Sequence, residues 1–180
     1  MMRRVALLGV ILVAALLAGC SKSSERGSQP VTFLKEGKIG ALKVVAVKLA
    51  PGLAVSSQET AEKLDPALRP ADPAATRNVV LELTIGSDAY SAEGSWQPFP
   101  CGAFVLTYDG GSAPCVGLSL GDQWVLADSG SPEMKLIYYK ADETREEQLL
   151  FLVPKGVESA TLELKSLTGP PTQVARVTLP

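Results

Sequence analysis

Histidine is absent from all 180 residues. With it go the commonest general base, the commonest metal ligand and the side chain that titrates between about pH 5 and 8. Ser-His-Asp and Cys-His catalysis are therefore excluded within the chain. Cysteine is scarce: only Cys20, Cys101 and Cys115 occur, at spacings far from C-x-x-C. No D-x-[DN]-x-[DN]-G calcium loop is present, and no internal repeat. A basic excess is also missing, since 17 Lys and Arg face 19 Asp and Glu. That balance argues against nucleic acid, which needs a concentrated basic face, and against electrostatic docking on anionic lipid. No cofactor or metal is expected.

Long apolar runs are missing too, except at the start. Arg3 and Arg4 precede an almost purely apolar stretch, Val5 to Leu16, followed by Leu17-Ala18-Gly19-Cys20 and an abrupt polar switch. The run is too short to span a bilayer comfortably, which takes about 20 apolar residues. Charged, apolar and small-residue regions in that order are the layout of a secretory signal. Residues 1–19 resemble a bacterial lipoprotein signal peptide ending in a lipobox. The resemblance implies cleavage after Gly19 and a Cys20 thiol joined to diacylglycerol, so that the bilayer is a partner through acylated Cys20. Two or more acyl chains anchor stably, at about 0.8 kcal/mol per buried CH₂. It also places the protein in the cell envelope, on a membrane outside the cytoplasm. Ser21 resembles the outer-membrane default where the source has two membranes.

Residues 20–36 are expected to be the lipidated cysteine and a linker. Ser21 to Pro30 (SKSSERGSQP) offers no apolar face to bury, and ten such residues reach at most about 35 Å. Loss of Arg3 and Arg4 with the leader would leave 15 basic against 19 acidic residues, a net charge of about −4. In an oxidising compartment Cys101 and Cys115 are expected to form a disulfide. The bridge would close a loop of about 15 residues, worth roughly 3 kcal/mol in the chain-entropy model. A hairpin with that pair in register would centre on Tyr108, whereas the Asp109-Gly110-Gly111 turn signal centres nearer Gly110.

Residues 37–180 read as one all-β domain. Strands are predicted over 42–49, 78–85, 103–108, 135–140, 148–153, 160–165 and 173–179. In the second, Val79, Leu81, Leu83 and Ile85 share a face. In the fifth, Leu149, Phe151 and Val153 alternate with Leu150 and Leu152, so both faces are apolar and the strand should be central. Turn signals separate the runs, as in Pro154-Lys155-Gly156 and Gly169-Pro170-Pro171. Seven strands with frequent turns predict an antiparallel β-sandwich. Residues 50–76, with four prolines, form an insertion in which Gln58 to Leu64 could make two helical turns with Ser57 as N-cap. It is either a surface elaboration or a functional loop.

The order of segments resembles a family of immunoglobulin-like domains in bacterial cell-surface lipoproteins. The resemblance rests on Asn78 to Ile85, Phe104 to Gly110, and Leu149 to Gly156 followed by Ala160 to Leu164, and spans roughly Ile39 to Lys165. It implies an immunoglobulin-like sandwich and no catalytic residues.

Two functions remain. The first is a non-enzymatic interaction module that binds an envelope protein or glycan. Tyr90, Trp96 and Trp124 are its candidate contacts, because aromatics on loops serve as binding anchors as readily as they lid a sandwich. The second is an envelope hydrolase or small-ligand sensor using carboxylates such as Asp65, Asp72, Asp109, Asp142, Glu143, Glu146 and Glu147. Most of these sit at turn signals, where Asp belongs for backbone reasons.

Overall fold

The computed structural model describes residues 30–87, 97–99, 101–120, 123–127, 137–139, 142–166 and 169–180. Within them lie twelve strands: β1 (Val31–Phe33), β2 (Gly37–Ile39), β3 (Leu42–Leu49), β4 (Thr76–Ser87), β5 (Gln97–Phe99), β6 (Phe104–Tyr108), β7 (Gly111–Leu120), β8 (Gln123–Leu126), β9 (Ile137–Tyr139), β10 (Thr144–Pro154), β11 (Ser159–Leu164) and β12 (Thr172–Thr178). One helix, α1 (Ser57–Glu62), lies between β3 and β4. Every predicted strand is present. Of the other five, β8 and the end of β7 fall in 117–126, where the loose strand spacing leaves room for extra short strands; β1, β2 and β5 are too short to show a period, and β7 hides its own behind Pro114 and Gly117.

The sandwich of seven strands in two sheets needs correction. Ten strands form one curled antiparallel sheet in the order β1-β12-β11-β6-β7-β10-β4-β3-β2, with β8 beside β7; β5 and β9 make a separate ribbon. The cause is β7. Its first half pairs with β6, from Tyr108↔Gly111 to Val105↔Pro114, and its second half pairs with β10 from Phe151↔Cys115 onward. Pro114 has no N–H to continue the first ladder, and the register of β10 shifts between Leu150 and Phe151. One strand thus turns the corner and joins two limbs.

The limbs face each other across the main core. Phe104, Leu106, Leu162, Leu164, Ala175 and Val177 come from one; Leu81, Leu83, Ile85, Leu149, Phe151 and Val153 come from the other. The second set holds the faces that alternation marks in the predicted strands 78–85 and 148–153. β10 lies between β7 and β4, so its central position also follows the prediction. Where β1 and β2 follow one another, the two edges of the sheet draw together. Gly37 is buried there, and a Cβ on it would lie 2.8 Å from Val174 Cγ2 and 2.9 Å from Leu164 Cδ2. Val31–Phe33 fall inside the stretch expected as linker, because β1 gains a partner in the distant β12 (Val31↔Val177) that local composition does not announce.

The register also assigns the ends of the domain. Pro30 accepts a hydrogen bond from the Thr178 N–H at 2.6 Å, so the chain enters the fold beside Ser159 and the turn after Pro154. Ser87 closes β4 at the other end, where its N–H donates to the Glu143 carbonyl at 2.9 Å. The twelve residues of β4 run between these ends, about 35–40 Å apart at strand rise.

Gly37→Ala should cost about 1–3 kcal/mol, because the added methyl overpacks the seam between β2 and β12. Urea denaturation checks this: the midpoint should fall with the m-value unchanged.

Candidate functional site

The outer face of β4, β7 and β10 carries Val80, Val116, Leu150 and Leu152, all buried. The insertion is what covers them. Ala61 and Leu64 pack onto this patch to form a second core, with Leu53, Leu68, Trp124 and Leu126 at its margin. The insertion thus packs on the sheet through Ala61 and Leu64, while most of its other residues stay exposed or half-buried.

Local chemistry shapes the insertion. Ser56, not Ser57, is the N-cap: its hydroxyl accepts from the Glu59 N–H at 3.2 Å, while its own N–H donates to Glu59 Oε2 at 2.9 Å. This capping box satisfies two groups that a helix start leaves open. The Ser57 hydroxyl is engaged elsewhere, 2.9 Å from the Pro73 carbonyl and 2.8 Å from that of Thr76. Two 3₁₀ turns follow, Pro66–Leu68 and Pro73–Ala75, each capped by an aspartate, Asp65 and Asp72. Arg69 bonds back to the carbonyls of Leu64 (3.0 Å) and Glu62 (3.1 Å), and the Asp65 N–H donates to the Ala127 carbonyl at 2.9 Å.

Between the returning arm of the insertion and the β6–β7 hairpin lies a groove of about 460 Å³. Leu68, Pro70, Pro114, Leu152 and Pro154 give it an apolar wall; Tyr108, Arg69 and Asp72 stand on its rim. The size and mix of lining suit a small or extended ligand. No spacing in residues 66–76 advertised it, because Ala and Pro carry no periodic signal. A second, more polar cleft of about 420 Å³ lies toward the far end, lined by Glu82, Ser119, Arg145, Glu146, Glu147 and Gln148. Lys48 Nζ bridges Glu82 at 3.2 Å and Glu146 at 3.3 Å. The hydrogen bond to Glu82, then that to Glu146, raises the Lys48 pKa above its ordinary value.

The predicted site residues are dispersed. Cys20, Tyr90 and Trp96 lie outside the described residues. Trp124 is half-buried against the second core, so it lids the sheet. The bridge expected between Cys101 and Cys115 is not made in this structure. Cys115 is a buried free thiol that donates to the Gly117 carbonyl at 3.3 Å. The hairpin register explains why the pair is not opposed: the turn falls at Asp109-Gly110, with Gly110 at φ +86°, the ladder with β6 ends at Val105↔Pro114, and Cys115 is paired with Phe151 of β10. Cys101 lies outside that ladder, in a 3₁₀ turn, and its side chain is outside the described residues.

Of the carboxylates, Asp65 and Asp72 are caps, Glu143 pairs with Arg145 at 2.7 Å, and Glu82 and Glu146 hold Lys48. Among the described residues no group of three or more His, Cys, Asp or Glu is placed to hold a metal ion. No helix among them is long and apolar enough to cross a membrane. Comparison with protein-family models, curated proteins and solved structures finds no match to the chain.

Leu64→Ala should destabilise the domain by about 2–4 kcal/mol through the cavity it opens between α1 and the sheet. Val55→Ala, at an exposed position, should stay within about 0.5 kcal/mol; chemical denaturation separates the two. A pH series tests the capping box. Hydrogen bonds from the Ser56 backbone, then its side chain, lower the Glu59 pKa. A lowered carboxylate pKa stabilises the fold above the unfolded value, and that contribution disappears as pH falls through the folded one. The stability gap between the parent and Glu59→Ala should therefore be present at neutral pH and narrow on acidification.

Proposed function

We propose that this chain is a lipid-anchored, non-enzymatic interaction module of a bacterial cell envelope. Acylated Cys20 holds it to a membrane outside the cytoplasm, and the end of the sheet at Ser87 lies away from that tether. The observation that carries this reading is the polarity of the domain. The chain enters at Pro30, at one end of the sheet, whereas residues 88–96 leave β4 at Ser87, at the other. A module tethered at the first end turns the second toward whatever lies beyond the membrane. The facing antiparallel limbs support an elaborated immunoglobulin-like relation, in which a continuous β7 replaces the gap between two sheets.

An envelope hydrolase or small-ligand sensor finds less support. Asp65 and Asp72 serve as helix caps, and Glu82, Glu143 and Glu146 are held in ion pairs with Lys48 or Arg145. Trp124 is poorly suited to partner contact, since it is half-buried at the margin of the second core.

Mass spectrometry of the natively expressed protein should find an N-terminal Cys20 carrying diacylglycerol. Cys20→Ser should move the protein from the membrane to the soluble fraction. An unmodified Cys20, or membrane retention of the serine variant, would overturn the anchor. In pull-downs from envelope extract, Trp96→Ala should reduce partner recovery several-fold, and unchanged recovery would remove the aromatic contact.

A further inference from the structure

The surface next to the tether entry carries two concavities that meet at one residue. On the outer face of the first limb, cross-strand partners set Thr32, Arg176, Thr161, Thr107 and Ser112 in a row across β1, β12, β11, β6 and β7. A shallow concavity of about 350 Å³ lies on this row, between Arg176, Thr161 and Ser159 on one side and Thr107, Tyr108 and Asp109 on the other. The apolar groove beneath the insertion begins across the same hairpin, and Tyr108 lines both. One side of Tyr108 is thus polar and the other apolar.

The charges in the polar half are uncommitted. Arg176 and Asp109 are both exposed, and among the described residues neither makes an ion pair. Thr107 donates to the Thr161 carbonyl at 3.3 Å, and Thr161 and Ser159 also line the concavity. A single guanidinium and a single carboxylate, on opposite sides of the concavity, complement a ligand with one negative and one positive group. A planar guanidinium suits phosphate oxygens, and a carboxylate accepts from a primary ammonium. An apolar chain leaving such a headgroup has a seat in the adjoining groove, against Leu68, Pro70 and Leu152.

Position selects the source of that ligand. Thr32, two residues from the entry at Pro30, is the cross-strand partner of Arg176. Only nine residues separate Cys20 from Pro30, at most about 35 Å of chain. The geometry points to a seat for a single phospholipid of the anchoring bilayer, with a phosphoethanolamine headgroup between Arg176 and Asp109 and an acyl chain in the groove past Tyr108. The inference rests on the lipid-anchored reading. The seat would set the tilt of the domain against its membrane, which a tether alone leaves free.

The test uses the chain from residue 20 onward with Cys20→Ser, titrated in solution with a short-chain lysophosphatidylethanolamine below its micelle concentration. Amide shifts of Thr107, Thr161 and Arg176 and methyl shifts of Leu68 and Leu152 should move together and saturate. Glycerophosphoethanolamine should move only the first group, and more weakly. Arg176→Gln and Asp109→Asn, both at exposed positions, should each weaken binding about two- to fivefold, the range expected of exposed charge pairs. Ala71→Trp, at the exposed rim of the groove, should remove the methyl shifts. The inference is overturned if these signals do not move. It is equally overturned if an alkyl maltoside of the same chain length moves them to the same extent, since that is unselective adsorption. Failure of the anchor is read separately, from the mass of Cys20. An acylated cysteine with no lipid response sinks this inference alone, and a lipid response with an unmodified cysteine sinks the anchor alone.

Discussion

A strand that is apolar on both faces cannot leave either in water, and most of this architecture follows from that constraint. β10 places Leu149, Phe151 and Val153 on one side and Leu150 and Leu152 on the other, and all five are buried. β4 does the same with Leu81 and Leu83 against Val80. The inner faces are covered by the opposing limb. The outer faces need a second cover, at roughly 25 cal/mol per Å² of apolar surface removed from water. Residues 50–76 supply it through Ala61 and Leu64. The groove exists because that cover is shorter than the face it protects: it shields the patch around Leu150 and stops before the β6–β7 hairpin.

The second constraint is connectivity at the corner. Two separate sheets would expose a pair of edges between β6 and β10, and unpaired edges invite association. β7 removes both by pairing with β6 up to Pro114 and with β10 from Cys115. Cys115 occupies the position just past the crossing, buried against the main core and hydrogen-bonded to the Gly117 carbonyl. At the opposite seam β1 and β2 approach without a continuous ladder, and Gly37 leaves the space that the Val174 and Leu164 side chains fill.

Electrostatics follows the same geography. The pairs Lys48–Glu82, Lys48–Glu146 and Arg145–Glu143 gather toward the far end, on and beside β10. Exposed pairs of this kind add little stability, about 0–1 kcal/mol each. Their larger effect is to commit the carboxylates there, while Arg176 and Asp109 at the tether end keep their charges available. The two ends of one sheet thus differ in chemistry although the fold is continuous between them.

Much of the framework is legible in the amino-acid sequence alone. The alternation in Val79–Ile85 and Leu149–Val153, the two-faced character of β10 and the Asp109-Gly110 turn all depend on neighbours within a few residues, where side-chain periodicity and backbone sterics decide the outcome. The helix cap is legible to within one residue, because Ser56 and Ser57 are equally good caps until tertiary contacts with Pro73 and Thr76 claim the second. Other features depend on residues far apart in the chain: the crossing in β7, the partner of β1, the fate of Cys115, the cover over Leu150 and the groove beside Tyr108. Val31 needs Val177, and Leu64 needs Val80 and Val116. No local pattern encodes a contact whose energy is realised only when a distant strand arrives. Alternation and turn chemistry set which segments are strands and which faces are apolar, and long-range packing alone chose one curled sheet over two.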